Sequence, residues 1–386
     1  MNSLKNKDKE YIAGTYARFD LVLDSGKGAT CKDIDGKDFI DFTSGIGVAS
    51  LGYGNGKWIE AITVQGQKLQ HTSNLFYTSP QIILAEKLIK ATGMSKVFFG
   101  NSGAEANECA IKVARKYGNS ESHNRKNVII TLENSFHGRT MATLTATGQE
   151  HYHENFYPFV DGFKYSPAND IDALKALITE DVCGIILELI QGEGGVVPLS
   201  KDFVKSAERL CNENDILLII DEVQTGVGRT GSLFAYEQFD IKPDIVTFAK
   251  GIGAGLPLGG ALLGHKVSDV LGYGDHGTTF GGNPVICAGA NVVLDTLTDE
   301  FLTVVSAKGE YLTSELKKIP EIYDISGMGL MIGYKVKNAD SGDFVKKCMF
   351  DGLLQLTAKD KVRLLPPLVI SYEEIDKGLE IIKRNL

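Results

Sequence analysis

Residues 216–231 read ILLIIDEVQTGVGRTG: five aliphatic residues in a row, two acids, and a turn carrying three glycines. An aliphatic run without polar alternation has no face to offer water. It therefore describes a strand buried on both sides, as in a mainly parallel sheet covered by helices. The same design recurs in KVFFGNSG (96–103), NVIITLEN (127–134), CGIILELIQG (183–192), DIVTFAKG (244–251) and GGALLGH (259–265). Helical patterns lie between these runs. In GAEANECAIKVARKYG (103–118), Ala106, Cys109, Ala110, Val113, Ala114 and Tyr117 form one apolar stripe, with Gly118 placed to stop the helix. Residues 171–178 and 202–214 are patterned alike, so α/β alternation covers 95–265.

The texture changes beyond this region. LTVVSAKGEYLTSELKKI (302–319), ISGMGLMIGYKV (325–336) and VRLLPPLVIS (362–371) predict a helix, a strand and a strand of a smaller α+β unit. The segment 1–55, with its hairpin-like ATCKDIDGKDFIDF (29–42), is too short to stand alone and is expected to pack on that unit. The expected division is 1–55, a large domain 56–292, and a small domain 293–386. A chain of 386 residues is long for a single core, in keeping with two units.

Bulk properties narrow the function. A net charge of −9 disfavours nucleic acid and anionic membranes as partners and favours small molecules. The six cysteines, Cys31, Cys109, Cys183, Cys211, Cys287 and Cys348, show no CxxC spacing and read as reduced, which points to the cytoplasm. No apolar run approaches membrane-spanning length, and the N-terminus lacks a signal-like apolar core. HYH at 151–153 has metal-like alternation without a third ligand, so no metal site is expected.

Two turns could hold a phosphate. After KVFF, the amides of Ser102, Gly103 and Ala104 sit at a helix start, where the dipole favours an anion. The second turn contains a literal GxGxxG at Gly226, Gly228 and Gly231, but Asp221, Glu222 and Gln224 separate it from its strand. No acid occupies the tip of the next strand either, so it fits a dinucleotide fingerprint poorly. Asp221 ends one strand and Lys250 another, at the edge where open α/β sheets bind ligands. An acid there is commonly a helix cap, and a lysine commonly a surface charge. Yet Phe248, Ala249, Gly251 and Ile252 offer Lys250 no polar path outward. A desolvated lysine is a nucleophilic amine suited to Schiff-base chemistry. Amine, carboxylate and anion-binding helix end together are what a protein contributes to a pyridoxal phosphate site.

NSGAEANE (101–108), SFHGRT (135–140), DEVQTGVGRTG (221–231), FAKGIGAGLPLGG (248–260), HGTTFGGNP (276–284) and VRLLPPL (362–368) follow in order over nearly the whole chain. In this the sequence resembles the class III pyridoxal-phosphate aminotransferases, and within them it is most similar to members acting on N-acetylornithine. The resemblance implies the type I fold of pyridoxal-phosphate-dependent transferases, with a mainly parallel seven-stranded sheet. It implies that Lys250 carries the cofactor and shuttles a proton, that Asp221 pairs with the ring nitrogen, and that Val223 and Phe136 flank the ring. Gln224 would reach the phenolic oxygen, and Ser102, Gly103 and Ala104 the phosphate. Thr279 would complete the phosphate site of a partner subunit in a homodimer. His276 would be a positioning hydrogen bonder.

For substrates the resemblance implies N-acetylornithine and 2-oxoglutarate, with glutamate as product, in arginine biosynthesis. Arg139 would take the donor's α-carboxylate and Arg363 that of the acceptor, Glu193 would pair with Arg363 while the donor reacts, and Thr278 would lie beside the donor. Ornithine, succinylornithine, 4-aminobutyrate and lysine-pathway donors are the nearest alternatives. A nicotinamide oxidoreductase and a non-catalytic binding protein are more distant ones. GIGVASLGYGNG (45–56) departs from the family's GIAVNSLGHCHP at Ala49, Tyr53 and Gly56, and Ser326 stands where the family often has arginine.

Overall fold

The computed structural model describes residues 2–120 and 125–386. Its large sheet comprises β1 (Lys96–Gly100), β2 (Val128–Leu132), β3 (Phe163–Ser166), β4 (Val182–Leu187), β5 (Leu217–Asp221), β6 (Ile245–Phe248) and β7 (Gly259–Leu263). The strand order is β1-β7-β6-β5-β4-β2-β3. Only β7 runs antiparallel to its neighbours, so the sheet is the mainly parallel, seven-stranded one expected. Every residue of β2, β4, β5, β6 and β7 is buried, the physical counterpart of their unbroken aliphatic runs. Each such Leu or Ile contributes about 2 kcal/mol.

Helices α1 (Gly103–Gly118), α2 (Ile171–Leu177) and α3 (Lys201–Asn214) cover the sheet. On α1, Ala106, Cys109, Ala110, Val113 and Ala114 are fully buried as the stripe requires, and Ile111 joins them. Gly118 does end the helix, but not by adopting a left-handed cap. A Cβ there would stand 2.2 Å from the Lys126 carbonyl and 2.6 Å from Cys183 Cβ, so the glycine serves close packing.

The N-terminal hairpin, Thr30–Asp33 with Asp38–Asp41, pairs with Leu353–Leu354 near the other end of the chain. Residues 322–336, read from sequence as one strand over 325–336, are instead a hairpin of Ile322–Met328 and Met331–Val336. Its turn is made by Gly329, at φ +54°, where a Cβ would lie 2.6–2.8 Å from Thr230 and Arg229 backbone atoms.

The GxGxxG decoy has a packing explanation. At Gly228, φ is +86° and a Cβ would meet Leu297 at 2.9 Å and Leu368 at 3.0 Å; at Gly231, φ is +91° and Ser306 stands at 2.8 Å. Between these glycines the buried Arg229 donates to the carbonyls of Leu330 (3.0 Å) and Pro366 (2.5 Å), tying the turn to C-terminal segments. Burial lowers its pKa to about 9. All six cysteines are free and buried. Among the described residues no helix is long and apolar enough to cross a membrane.

Candidate active site

A cleft of about 520 Å³ opens at the carboxyl edge of the large sheet. Asp221, the last residue of β5, pairs in register with Thr247 of the neighbouring β6, and Lys250 follows two residues after β6 ends. Both line the cleft, together with Ser102, Gly103, Ala104, Phe136, Arg139, Val223 and Gln224.

Lys250 adopts φ +48°, a left-handed conformation that costs a residue with a Cβ about 1 kcal/mol or more and is tolerated where the fold demands it. Burial lowers the pKa of its amine, although Glu193 and Asp221 partly offset this. The free amine, which is the nucleophile, is thus favoured.

At the other side of the cleft α1 begins. Ser102 is its N-cap: its hydroxyl accepts from the Glu105 amide at 3.1 Å and keeps its own proton to donate. Among the described residues the Gly103 and Ala104 amides meet no acceptor, leaving two donors and the positive dipole end for an anion. Gly103 is a glycine because Val223 packs on it: a Cβ would stand 2.7 Å from Val223 Cγ1.

Phe136 stacks edge-on with Tyr152 at 5.6 Å between ring centroids. The exposed guanidinium of Arg139 lies 3.9 Å above the Tyr152 ring and 5.5 Å from that of Phe136. Arg363 is buried and bonds Glu193 at 2.5 Å and Gln224 Oε1 at 3.2 Å. Its Nε is buried with no hydrogen-bond partner among the described residues.

Some expected residues lie outside the lining of this cleft, Arg363 and Glu193 among them, which meet it through Gln224. Thr279 lines a separate crevice with His71–Asn74 and Gly281–Pro284. Thr278 reaches the rim only through Asn101, whose Nδ2 donates to its hydroxyl at 3.1 Å. His276 contacts Lys112 at 3.1 Å and packs on Phe98. In HYH, Tyr152 supports Arg139, and His153 Nε2 bonds the Leu144 carbonyl at 2.9 Å.

The structure also brings in residues that sequence reasoning missed. Asn107, His137, Glu188 and Val48 all line the cleft. Glu188 accepts from the Phe136 amide at 2.7 Å and the Gly192 amide at 3.1 Å. Burial pushes its pKa up to about 7, with His137 pulling against that and Asp221 adding to it. For His137, burial is the largest effect and disfavours the cation. Bonding and charge from Asp221, with Glu188, outweigh it and raise the pKa. A signal for Glu188 existed: it is an acid inside the aliphatic run IILELI.

Amine, carboxylate and unpaired helix amides around one cleft suit a phosphorylated pyridine aldehyde, and the family model of the class-III aminotransferases matches residues 11–386. The chain belongs to the class-III aminotransferases. Its cofactor is pyridoxal 5′-phosphate.

Similar class-III aminotransferases include the acetylornithine aminotransferase of Haemophilus ducreyi, 52% identical over 100% of this chain and 98% of its own length. That of Methanocaldococcus jannaschii is 45% identical over 96% and 94%. Among solved structures, ornithine aminotransferase from Toxoplasma gondii ME49 superposes with a TM-score of 0.95 at 33% identity, covering 100% of this chain and 94% of that one. N-acetylornithine aminotransferase from Stenotrophomonas maltophilia K279a gives 0.85 at 37%, covering 98% and 97%.

Proposed function

We propose that this aminotransferase moves the terminal amino group of N-acetylornithine to 2-oxoglutarate, leaving an aldehyde on the donor carbon and producing glutamate, as a cytoplasmic step of arginine synthesis. When bound, the cofactor supplies an aldehyde that takes up amino groups and a conjugated ring that withdraws electrons from the carbon being deprotonated. Lys250 Nζ would hold that aldehyde and, once freed, would carry the proton that the reaction moves. Asp221 would pair with the ring nitrogen, Val223 and Phe136 would flank the ring, Gln224 would reach its phenolic oxygen, and Ser102, Gly103 and Ala104 would hold the phosphate.

The observation that carries the substrate reading is the Arg363–Glu193 pair at 2.5 Å. With the pair closed, a donor's uncharged chain fits near the reacting amine. With Glu193 withdrawn, Arg363 presents a fork to the acceptor's carboxylate. The cleft lining contains no tyrosine among the described residues, and Val48 fills part of the N-terminal side, which favours an acylated α-amine over a free ammonium. Turnover of N-acetylornithine, ornithine and 4-aminobutyrate with 2-oxoglutarate tests this. N-acetylornithine is expected to lead in kcat/KM, and a clear preference for 4-aminobutyrate overturns the reading.

Arg139 is assigned to the donor's α-carboxylate, with Tyr152 holding its plane. Tyr152→Ala is expected to raise the N-acetylornithine KM about two- to fivefold, the worth of one exposed cation–π contact. Tyr152→Phe is expected to leave it unchanged, and a diamine lacking the carboxylate to be insensitive to both.

We further assign Thr279 to the phosphate site of a second copy, with Thr278 beside the donor. The exposed Leu75 (88%), Tyr77 (96%) and Phe280 (59%), close to Thr279 in sequence or crevice, support a covered face there. A fully active monomer by light scattering would remove the homodimer.

A further inference from the structure

Asp221 is held by more than its own strand. Its Oδ2 accepts from Asn107 Nδ2 at 2.7 Å and from His137 Nδ1 at 2.7 Å, and its Oδ1 accepts from the Val223 amide at 3.0 Å. Three donors are thus directed at it, the kind of partner that a carboxylate oxygen accepts from, and the Glu188 carboxylate faces it as well.

Asn107 is committed on both sides. Its second amide proton goes to the His137 carbonyl at 2.8 Å, and its Oδ1 receives the Thr247 hydroxyl at 2.7 Å. The orientation of this amide is dictated by chemistry. Ionised Asp221 and a backbone carbonyl can only accept, so the amide nitrogen faces them and its oxygen is left for Thr247 to donate to. Asn107, His137, Asp221 and Thr247 are each no more than 4% exposed, so water cannot substitute for a lost partner without entering the core. Thr247 sits opposite Asp221 on the adjacent strand, and Asn107 lies one turn into the helix whose N-terminus faces the cleft.

We propose that Asn107, oriented by Thr247, is a positioning residue that locks Asp221 as an ionised acceptor for the cofactor's ring nitrogen. This rests on the reading of Asp221 as that nitrogen's partner. Oδ1, carrying one bond, keeps capacity for the ring N–H while Oδ2 is saturated by the relay. The other titratable groups facing Asp221 are His137, Glu188 and Lys250, and none of them orients the Asn107 amide. His137 Nδ1 and the Val223 amide each hold one oxygen of the carboxylate. The Asn107 amide adds a second donor to Oδ2 from a different element, the helix α1.

The test uses holoenzyme loaded with ring-¹⁵N-labelled pyridoxal phosphate at saturation. The variants are Asn107→Ala, Thr247→Val, Thr247→Ser and, as reference, Asp221→Asn. In the parent the ring resonance is expected at its protonated position across neutral pH. In Asn107→Ala and Thr247→Val it moves toward the unprotonated position, kcat falls about tenfold and about threefold respectively, KM values stay within about twofold, and Thr247→Ser restores the parent's behaviour. Thr247→Val is nearly isosteric and keeps the test open if Asn107→Ala folds poorly. An unmoved resonance in Thr247→Val, with Asp221→Asn shifting it, overturns the relay alone. An unmoved resonance in Asp221→Asn overturns the underlying reading of Asp221.

Discussion

Lys250→Ala is expected to lower turnover by at least about 10⁴-fold while leaving a folded protein. In the proposed mechanism the loss combines two roles in one nitrogen: covalent capture of the cofactor and movement of a proton. General acid–base transfer alone is worth about 10²–10⁴-fold, and removal of a covalent nucleophile that acts in concert with other groups costs more. Folding is not the casualty. The native site disfavours the charge of Lys250, whose pKa burial depresses, so alanine removes a desolvation cost along with the amine. Thermal unfolding of the cofactor-free variant is therefore expected at or above the midpoint of the cofactor-free parent. Borohydride reduction should leave the cofactor mass on the peptide containing Lys250 in the parent, and on no peptide in the variant. Labelling that persists at another lysine would remove Lys250 from its role.

The large sheet was legible because double-sided burial leaves unbroken aliphatic runs, and five of its strands are buried along their whole length. β3, FKYS at the sheet edge, was not, since an edge strand half-covered by its surroundings has no such run. The hairpin 322–336 read as one strand because its turn spends only Gly329 and Leu330, and a glycine-rich apolar sequence hides so short a reversal.

In the cleft, Lys250 and Asp221 stood out as charges directly after apolar strands. Asn107 and His137 did not, because their significance lies in meeting one Asp221 oxygen across a helix, a loop and a strand. Local spacing cannot encode that meeting. The faint signal for Asn107 is a polar residue within the most buried part of α1, next to Ala106. Arg229, inside the GxGxxG turn that fits a dinucleotide fingerprint poorly, carried no local sign that its guanidinium is taken up by carbonyls distant in sequence.

The second large effect separates the two halves of the reaction. Arg363→Ala is expected to reduce kcat/KM for 2-oxoglutarate on the order of 10²–10³-fold, as truncating one member of a buried, bonded charge pair costs about 2–5 kcal/mol. The donor half-reaction makes no use of a free Arg363 in this reading, since the guanidinium is then engaged by Glu193 at 2.5 Å and Gln224 at 3.2 Å. Single-turnover reduction of the cofactor's aldehyde absorbance by N-acetylornithine is therefore expected to change several-fold at most.

Glu193→Gln acts in the opposite sense. It removes the carboxylate that competes for Arg363, so the acceptor's KM falls, while the donor now faces an uncompensated guanidinium whose Nε already lacks a partner. Glu193 is partly exposed, with 24% of its side chain accessible against 3% for Arg363, so it is the member of the pair with room to move. Equal losses in both half-reactions for Arg363→Ala would instead make the pair a structural clamp. A fall in one alone, mirrored by Glu193→Gln, requires that a single pocket alternates between an internal and an external carboxylate.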